Sequence, residues 1–285
     1  MRFIQKAVDA FRPLADPSHR SIPVGLRPAR RQWTFDLAPL TGESALSGIC
    51  PVCGKRAKFD EFTDNPRESG RCSNCQSFNR QRQMAHAIRK QCGLPKAGPL
   101  RFPEGFVIYN TETTASLHLQ LLQTPGYLCS EYFGDEYEPG QMVDGRRHED
   151  LRHLSFEDNS IDLVLSSDVM EHMPDPYAAH LEILRVLKRG GRHIFTVPFG
   201  PSMQEDQIRA KLVDGDIVYL EEKAFHGDPV RPNEGVLVWT IFGLAMFGRL
   251  RELGFDVKGW NIFAPNEGVV GPWSLVFDAR KPIDQ

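Results

Sequence analysis

Between Phe156 and Pro198 the chain spells a strand, a helix and a second strand, and this unit limits the architectures open to it. A polar turn, Phe156-Glu157-Asp158-Asn159-Ser160, leads into the apolar run Ile161 to Leu165, which stops at Ser166-Ser167-Asp168. A short apolar run bounded in this way is how a buried parallel strand delivers side chains to its carboxyl end. Asp175 and Pro176 are a capping residue and a proline at the first helical position, and Tyr177, Leu181, Leu184 and Leu187 recur at helical spacing. Lys188 and Arg189 complement the dipole of the last turn, and Gly190-Gly191 supplies a left-handed stop before the run Ile194 to Val197. Such a unit closes with a right-handed crossover into a parallel sheet, which brings Asp168 and Pro198 to one edge. That edge is the expected site of chemistry.

A chain of 285 residues has room for one large α/β domain and a small appended module. Its formal net charge of -3 gives no global attraction to nucleic acid or to an anionic membrane. No apolar run approaches the roughly 18 residues that span a bilayer, and the N-terminus shows no secretory core. The expectation is a cytoplasmic protein with no membrane partner. No internal repeat is visible, which argues against a solenoid.

The six cysteines divide by spacing. Cys50-Pro51-Val52-Cys53 and Cys72-Ser73-Asn74-Cys75 are two Cys-x-x-Cys knuckles separated by a loop of the length used by four-thiolate zinc sites. With every position taken by cysteine no coordination site stays open to water, so the expected Zn²⁺ is structural. Cys92 and Cys129 stand alone and read as inert thiols.

Residues 1–48 read as an N-terminal arm, with a short apolar face from Phe3 to Phe11 followed by a proline- and arginine-rich section. Residues 49–92 form the expected zinc ribbon and a following helix from Asn79. This ribbon carries Lys55, Arg56, Lys58, Arg67, Arg71, Arg80, Arg82, Arg89 and Lys90. Such a run can hold nucleic acid, although a solvated face is the favoured reading. A proline and glycine linker leads to a main domain at 104–285.

The ordered segment Phe156-Glu157-Asp158-Asn159-Ser160-Ile161-Asp162-Leu163-Val164, then Asp168-Val169-Met170-Glu171-His172, then Arg185-Val186-Leu187-Lys188-Arg189-Gly190-Gly191 resembles the second half of a class I S-adenosylmethionine-dependent methyltransferase of the type 11 kind. The resemblance implies an α/β fold with a doubly wound, mostly parallel seven-stranded Rossmann-like sheet. Phe106 to Tyr109 would be its first strand, Tyr127 to Ser130 its second, and Phe255 to Trp260 and Ser274 to Phe277 its last two. It also implies S-adenosyl-L-methionine as cofactor, held at several strand ends. The first loop, Asn110-Thr111-Glu112-Thr113-Thr114, stands where the family places glycines and has none. Its hydroxyls, backbone amides and the Glu112 carboxylate are the substitute.

Glu131 falls about twenty residues beyond that loop, where doubly wound folds place an acid on a ribose diol, and Tyr132 follows to cover the adenosine. By the same resemblance Asp150 and Leu151 read the adenine edge, and Ser167 and Asp168 line the sulfonium end. His172 is a candidate base, or a loop-holding residue. Residues 199–238 lose regular period and read as a substrate lid, carrying His226 as a second candidate base and Asp228 as its orienting acid. A turn built by Gly227 and Pro229 is the alternative there. Thr240 is expected to cap a helix ending at Gly254. The implied activity is methyl transfer to a small-molecule or sugar acceptor. RNA or protein methylation with the ribbon as docking module is the second reading, and a binding protein that kept the fold without catalysis is the third.

Overall fold

The computed structural model describes residues 20–24, 46–227, 235–271 and 275–284. Most of the arm expected at 1–48 lies outside these residues, as does Asp228. The chain divides into two compact units: residues 1–105, 114–125 and 258–277, and residues 106–113, 126–257 and 278–285.

In the first unit, Leu46–Ile49, Arg56–Asp60 and Arg71–Cys72 form a three-stranded antiparallel sheet. Phe59 stands opposite both Leu46 and Cys72 in the register and is fully buried. The helix Asn79–Gln91 follows with no residue between it and the second knuckle but Gln76, Ser77 and Phe78. Its Arg82 is also fully buried, and the guanidinium lies over the Phe59 ring at 4.8 Å. That cation is stabilised by carbonyls: Arg82 Nη2 and Nε donate to Gly268 O at 2.9 and 3.1 Å, and Nη1 donates to Ser77 O. Burial lowers its pKa to about 10. Asn79 Nδ2 donates to Val270 O at 2.6 Å and His86 Nδ1 lies 2.7 Å from Glu267. A segment near the C-terminus is thus built into the cysteine-bearing unit, which spacing in the sequence gave no sign of. Arg20–Val24 belongs here as well, antiparallel to the strand Asp256–Phe263 with Arg20 opposite Phe263 and Val24 opposite Gly259.

In the second unit, Ile108–Asn110, Tyr127–Cys129, Ile161–Ser167 and Leu187–Thr196 pair in parallel. Asn110 stands opposite Cys129 on one side and Leu165 on the other, and Thr196 stands opposite Ser167. The carboxyl ends of the four strands therefore share one edge. The second half of the last strand, Leu275–Arg280, also lies in this unit, where Arg192 Nη1 donates to Asp278 Oδ2 at 2.6 Å. Beyond Tyr127–Cys129 the next strands, Met142–Val143 and Arg146–Arg147, pair only with each other. The sheet is mixed, which a mostly parallel expectation allows. A parallel run of four is shown, and Arg20–Val24 is an antiparallel strand recruited from the arm.

Three local expectations are corrected. The helix Pro176–Val186 is capped as expected, with Asp175 Oδ1 accepting from Tyr177 and Ala178 N–H at 3.1 and 3.0 Å, but it stops before Leu187. Gly190, at φ 80°, is instead a bulge inside the strand, where the register shifts between Leu187 and Arg192, and Lys188 pairs with Asp162 at 2.6 Å. The buried stripe of the helix is Ala179, His180, Ile183 and Val186, and Leu181 is half exposed. Lastly, Thr240 lies in the short strand Thr240–Ile241, and the following helix is Ala245–Glu252 with Leu244 before it.

Candidate functional site

The cysteine centre lies in the first unit. Cys50, Cys53 and Cys72 are buried, Cys75 is half-buried, and their sulfurs fall within 4.8 Å of one another. Cys50 Sγ is 3.8 Å from Cys75 Sγ, which is about the edge of a tetrahedron of sulfurs each 2.3 Å from a central ion. Both knuckles are built alike. Gly54 N–H donates to Cys50 O at 2.7 Å and Gln76 N–H to Cys72 O at 2.9 Å, and each donor residue is left-handed, with φ 69° and 61°. Ser77 Oγ lies 3.2 Å from Cys75 Sγ and 3.5 Å from Cys50 Sγ, and can support thiolates there. Sulfur crowding pushes the Cys72 thiol down and the Cys50 thiol up, because one group's charge is stabilised by its neighbours' hydrogens. The donor set suits a closed four-coordinate soft cation.

The basic run expected to form a solvated or nucleic-acid face is partly spent inside this unit. Arg82 is buried as described. Arg89 Nε donates to Pro51 O at 2.6 Å and Nη2 to Gly98 O at 2.7 Å. Arg80 holds Glu68 through two nitrogens at 2.6 and 3.0 Å.

The sheet edge of the second unit gathers the other sequence-predicted residues. Asn110 Nδ2 donates to Tyr127 Oη at 2.9 Å and to Glu112 O at 3.1 Å, which fixes the turn out of the first strand. Thr111 N–H donates to Leu165 O at 3.1 Å, while its hydroxyl is buried with no hydrogen-bond partner among the described residues. Glu131 Oε1 accepts from Thr113 N–H at 2.9 Å and from Thr113 Oγ1 at 2.7 Å, clasping the glycine-free loop to the end of the second strand. Glu149 N–H donates to Glu131 O at 3.2 Å, so Asp150 and Leu151 lie beside Glu131. The Asp150 carboxylate is gripped by Arg152, with Nε at 3.0 and 2.9 Å and Nη2 at 2.6 Å, and Arg152 also reaches Asp135, which accepts from Tyr132 Oη at 2.7 Å. Asp168 takes a left-handed φ of 55°, and its Oδ1 accepts from Thr196 Oγ1 at 2.9 Å. Ser167 Oγ lies 3.4 Å from Thr196 Oγ1.

His172 and His226 also meet. The expected irregular lid is an antiparallel ladder over its described residues: Gln207–Ile208 pairs with Thr240–Ile241, and Phe225–His226 with Val236–Leu237. A hairpin of Ala210–Val213 and Asp216–Tyr219 projects from it. This ladder returns His226 Nδ1 to within 3.2 Å of His172 Nε2, across 54 residues of sequence. His172 Nδ1 lies 2.8 Å from Leu237 O. A carbonyl only accepts, so Nδ1 carries the proton and Nε2 of the neutral ring presents its lone pair.

Glu171, expected from the sequence only to face the acceptor beside His172, has a chemistry of its own in the structure. Its side chain is fully buried, and neither carboxylate oxygen has a hydrogen-bond partner among the described residues. Oε1 lies 3.5 Å from His226 Nδ1 and 3.8 Å from His172 Nε2. Trp239 N–H donates to Glu171 O at 2.8 Å, so the ladder fastens to this residue. Burial, opposed by His226 and reinforced by the Asp168 charge, pushes the Glu171 carboxyl up to about 7. The available signal was an acid three residues after Asp168, at the mouth of a buried strand.

Residues 131–195 match the family model described as a methyltransferase domain. An uncharacterized methyltransferase of Mycobacterium avium is 31% identical over 136 residues, covering 41% of this chain and 54% of that protein. One from Mycobacterium tuberculosis is 30% identical with the same coverage. The chain thus spans about half the length of the curated relatives it matches. Among solved structures, an S-adenosylmethionine-dependent methyltransferase from Mesorhizobium loti aligns at 15% identity with a TM-score of 0.43, covering 70% of this chain and 98% of the other. The residues matched by the family model take in the whole segment from Phe156 to Gly191 that carried the resemblance. No helix among the described residues is long and apolar enough to cross a membrane.

Proposed function

We propose that the chain is an S-adenosylmethionine-dependent methyltransferase acting on a small-molecule or sugar acceptor, with Cys50, Cys53, Cys72 and Cys75 holding a structural Zn²⁺. The observation that carries the reading is the gathering of Asn110 to Thr113, Glu131, Asp150 to Leu151 and Ser167 to Asp168 at the carboxyl edge of one parallel sheet. Ligands of doubly wound folds bind at that edge.

Bound there, S-adenosylmethionine supplies a methyl group already activated on a sulfonium, so positioning does most of the work. Glu131, fixed by Thr113, would hold the two ribose hydroxyls with its carboxylate. Asp150, oriented by Arg152, would accept from the adenine amine, while the Leu151 N–H would read the ring and Tyr132 would cover it. The buried Thr111 hydroxyl, without a partner of its own, and Asn110 and Glu112 beside it serve the amino-acid end. Ser167 and Asp168 would line the sulfonium end. On the acceptor side, His172 Nε2, 3.2 Å from His226 Nδ1, is the candidate proton acceptor. Four cysteines held by a metal rather than in disulfides suit a reducing compartment, the cytoplasm. RNA is the weaker acceptor because Arg80, Arg82 and Arg89 are engaged within the protein.

Calorimetry with S-adenosylhomocysteine tests the donor assignment. Wild-type protein is expected to bind, and Glu131→Ala to bind at least about tenfold more weakly, through loss of charge-assisted hydrogen bonds. No heat from wild-type protein at millimolar ligand removes the assignment.

A further inference from the structure

The group formed by Glu171, His172 and His226 is more than a pair of candidate bases. A fully buried carboxylate with two unsatisfied oxygens is costly, by several kcal/mol if it stays charged, unless something supplies positive charge to it. The two neighbouring imidazoles are poor suppliers. His172 is fixed by Leu237 O in the tautomer that aims a lone pair inward, and its Nε2 stands 3.8 Å from Glu171 Oε1. His226 Nδ1 makes a long contact to the same oxygen at 3.5 Å, weaker than a short charge-assisted hydrogen bond.

The three atoms have the spacing of ligands. Glu171 Oε1, His172 Nε2 and His226 Nδ1 form a triangle with sides of 3.2, 3.5 and 3.8 Å. One point lies about 2.0 Å from all three corners, which is the bond length from a divalent transition ion to imidazole nitrogen or carboxylate oxygen. A carbonyl on the far nitrogen of His172 is also the arrangement that orients a metal-bound imidazole. We infer that Glu171, His172 and His226 form a site for a divalent transition cation, separate from the cysteine centre.

The donor set points to the class of ion. Two imidazoles and one carboxylate favour Mn²⁺, Fe²⁺, Co²⁺ or Zn²⁺ over Mg²⁺, which prefers oxygen and retains its waters. Three protein ligands leave coordination positions open. His226 is the exposed member, with a side chain 44% accessible, so the site is open on that side. The open positions suit oxygen atoms of an acceptor, and this part of the inference rests on the methyltransferase reading. With the ion in place His172 and His226 are ligands, and their lone pairs no longer take protons.

The test uses Mn²⁺ alone, since thiolate sites favour Zn²⁺ strongly over it and the cysteine centre stays occupied. Full-length protein carrying one Zn²⁺ per chain, with excess zinc removed, is titrated with Mn²⁺ while the electron paramagnetic resonance signal of the free ion is followed. One Mn²⁺ per chain is expected, with affinity falling about 100-fold or more in Glu171→Gln and in His226→Ala. His226 is exposed, so its variant stays folded, and circular dichroism checks both. The inference is overturned if wild-type protein takes up no Mn²⁺ at millimolar concentration, or if both folded variants bind like wild type. The readout is independent of S-adenosylhomocysteine calorimetry, so loss of the cation site and loss of the donor assignment are told apart.

Discussion

The cysteine centre and the Glu171 cluster are both compact sets of metal-ligating side chains, yet the chain specifies them in opposite ways. Cys50, Cys53, Cys72 and Cys75 come from two tight turns within 26 residues, and each turn alone aims two sulfurs at one point. Glu171 and His172 come from one short helical turn, and the third member arrives 54 residues later on the return of a strand ladder. The first arrangement is encoded in spacing and is closed. The second exists only after the ladder has formed, and it is open to solvent at His226. A closed, soft-ligand centre is expected to be part of what folds its unit, whereas the open cluster is expected to cost stability and to serve a ligand.

The sharpest way to break this contrast is to remove one ligand from each. Cys72→Ser deletes a fully buried sulfur whose residue also pairs with Phe59 in the sheet. Structural Zn²⁺ contributes on the order of 10 kcal/mol to small domains. The expected outcome is loss of stoichiometric zinc together with loss of cooperative unfolding in the unit of residues 1–105, measured by metal analysis and hydrogen exchange. Retention of full protection without zinc would show that the three-stranded sheet and the Arg82 carbonyl cage suffice.

Within the centre, Gly54→Ala probes how much the knuckle geometry itself demands. A Cβ at Gly54 would stand 1.8 Å from Gly98 O, and the residue has a φ of 69°. Forcing those backbones apart and holding alanine left-handed costs roughly 4 kcal/mol together. Denaturant unfolding of the zinc-loaded protein is the check.

Glu171→Gln is the counterpart on the other side of the comparison, and its effect depends on pH. The carboxyl is raised from 4.5 to about 7 in the folded protein, so the folded state binds the proton more tightly than the unfolded one. Its contribution to stability is fully present below about pH 4.5 and is lost as pH rises through about 7, amounting to about 3 kcal/mol. His180, held down to about 3 by burial, and His193, also lowered, act oppositely as pH falls below 6.5. The quantity to read is therefore the difference between wild type and Glu171→Gln without added Mn²⁺. The variant is expected to be the more stable above pH 7, and equal stabilities at pH 5 and pH 8 would contradict the burial argument.

The same contrast explains what could be read from the sequence. The parallel strands, the helix cap at Asp175 and the cysteine knuckles were legible because each is set by local pattern. The rotated stripe of the helix Pro176–Val186 was not, because His180 counts as polar yet is wholly buried beside His193, with ring centroids 5.2 Å apart. Gly190 misled in another way, since a left-handed glycine ends a helix or bulges a strand equally well, and only pairing with Ile161–Ser167 decides. The segment from Ala264 to Val270 carries no cysteine and no motif. Its place in the cysteine unit rests on carbonyls of Gly268 and Val270 accepting from Arg82 and Asn79, and carbonyls leave no trace in a sequence. Glu171 was placed beside His172 but given no chemistry of its own, because its meaning depends on what surrounds it.

The smallest expected effect separates two explanations of the knuckle result. Gln76 is the structural counterpart of Gly54, left-handed at φ 61° but exposed, with its Nε2 donating to Cys72 O at 3.2 Å. Gln76→Ala keeps the left-handed cost that glutamine already bears and gives up one part-buried hydrogen bond, so a loss of about 1 kcal/mol is expected. Gln76→Gly removes the left-handed cost as well, worth about 1 kcal/mol, and pays it back in unfolded-state entropy, which leaves it near wild type. If Gly54→Ala costs several-fold more than either, the close approach of Gly98 is what requires glycine in the first knuckle. If Gln76→Gly instead stabilises the unit by as much as Gly54→Ala weakens it, backbone handedness alone governs both turns, and the clash with Gly98 is relieved by a small shift of the 95–98 loop.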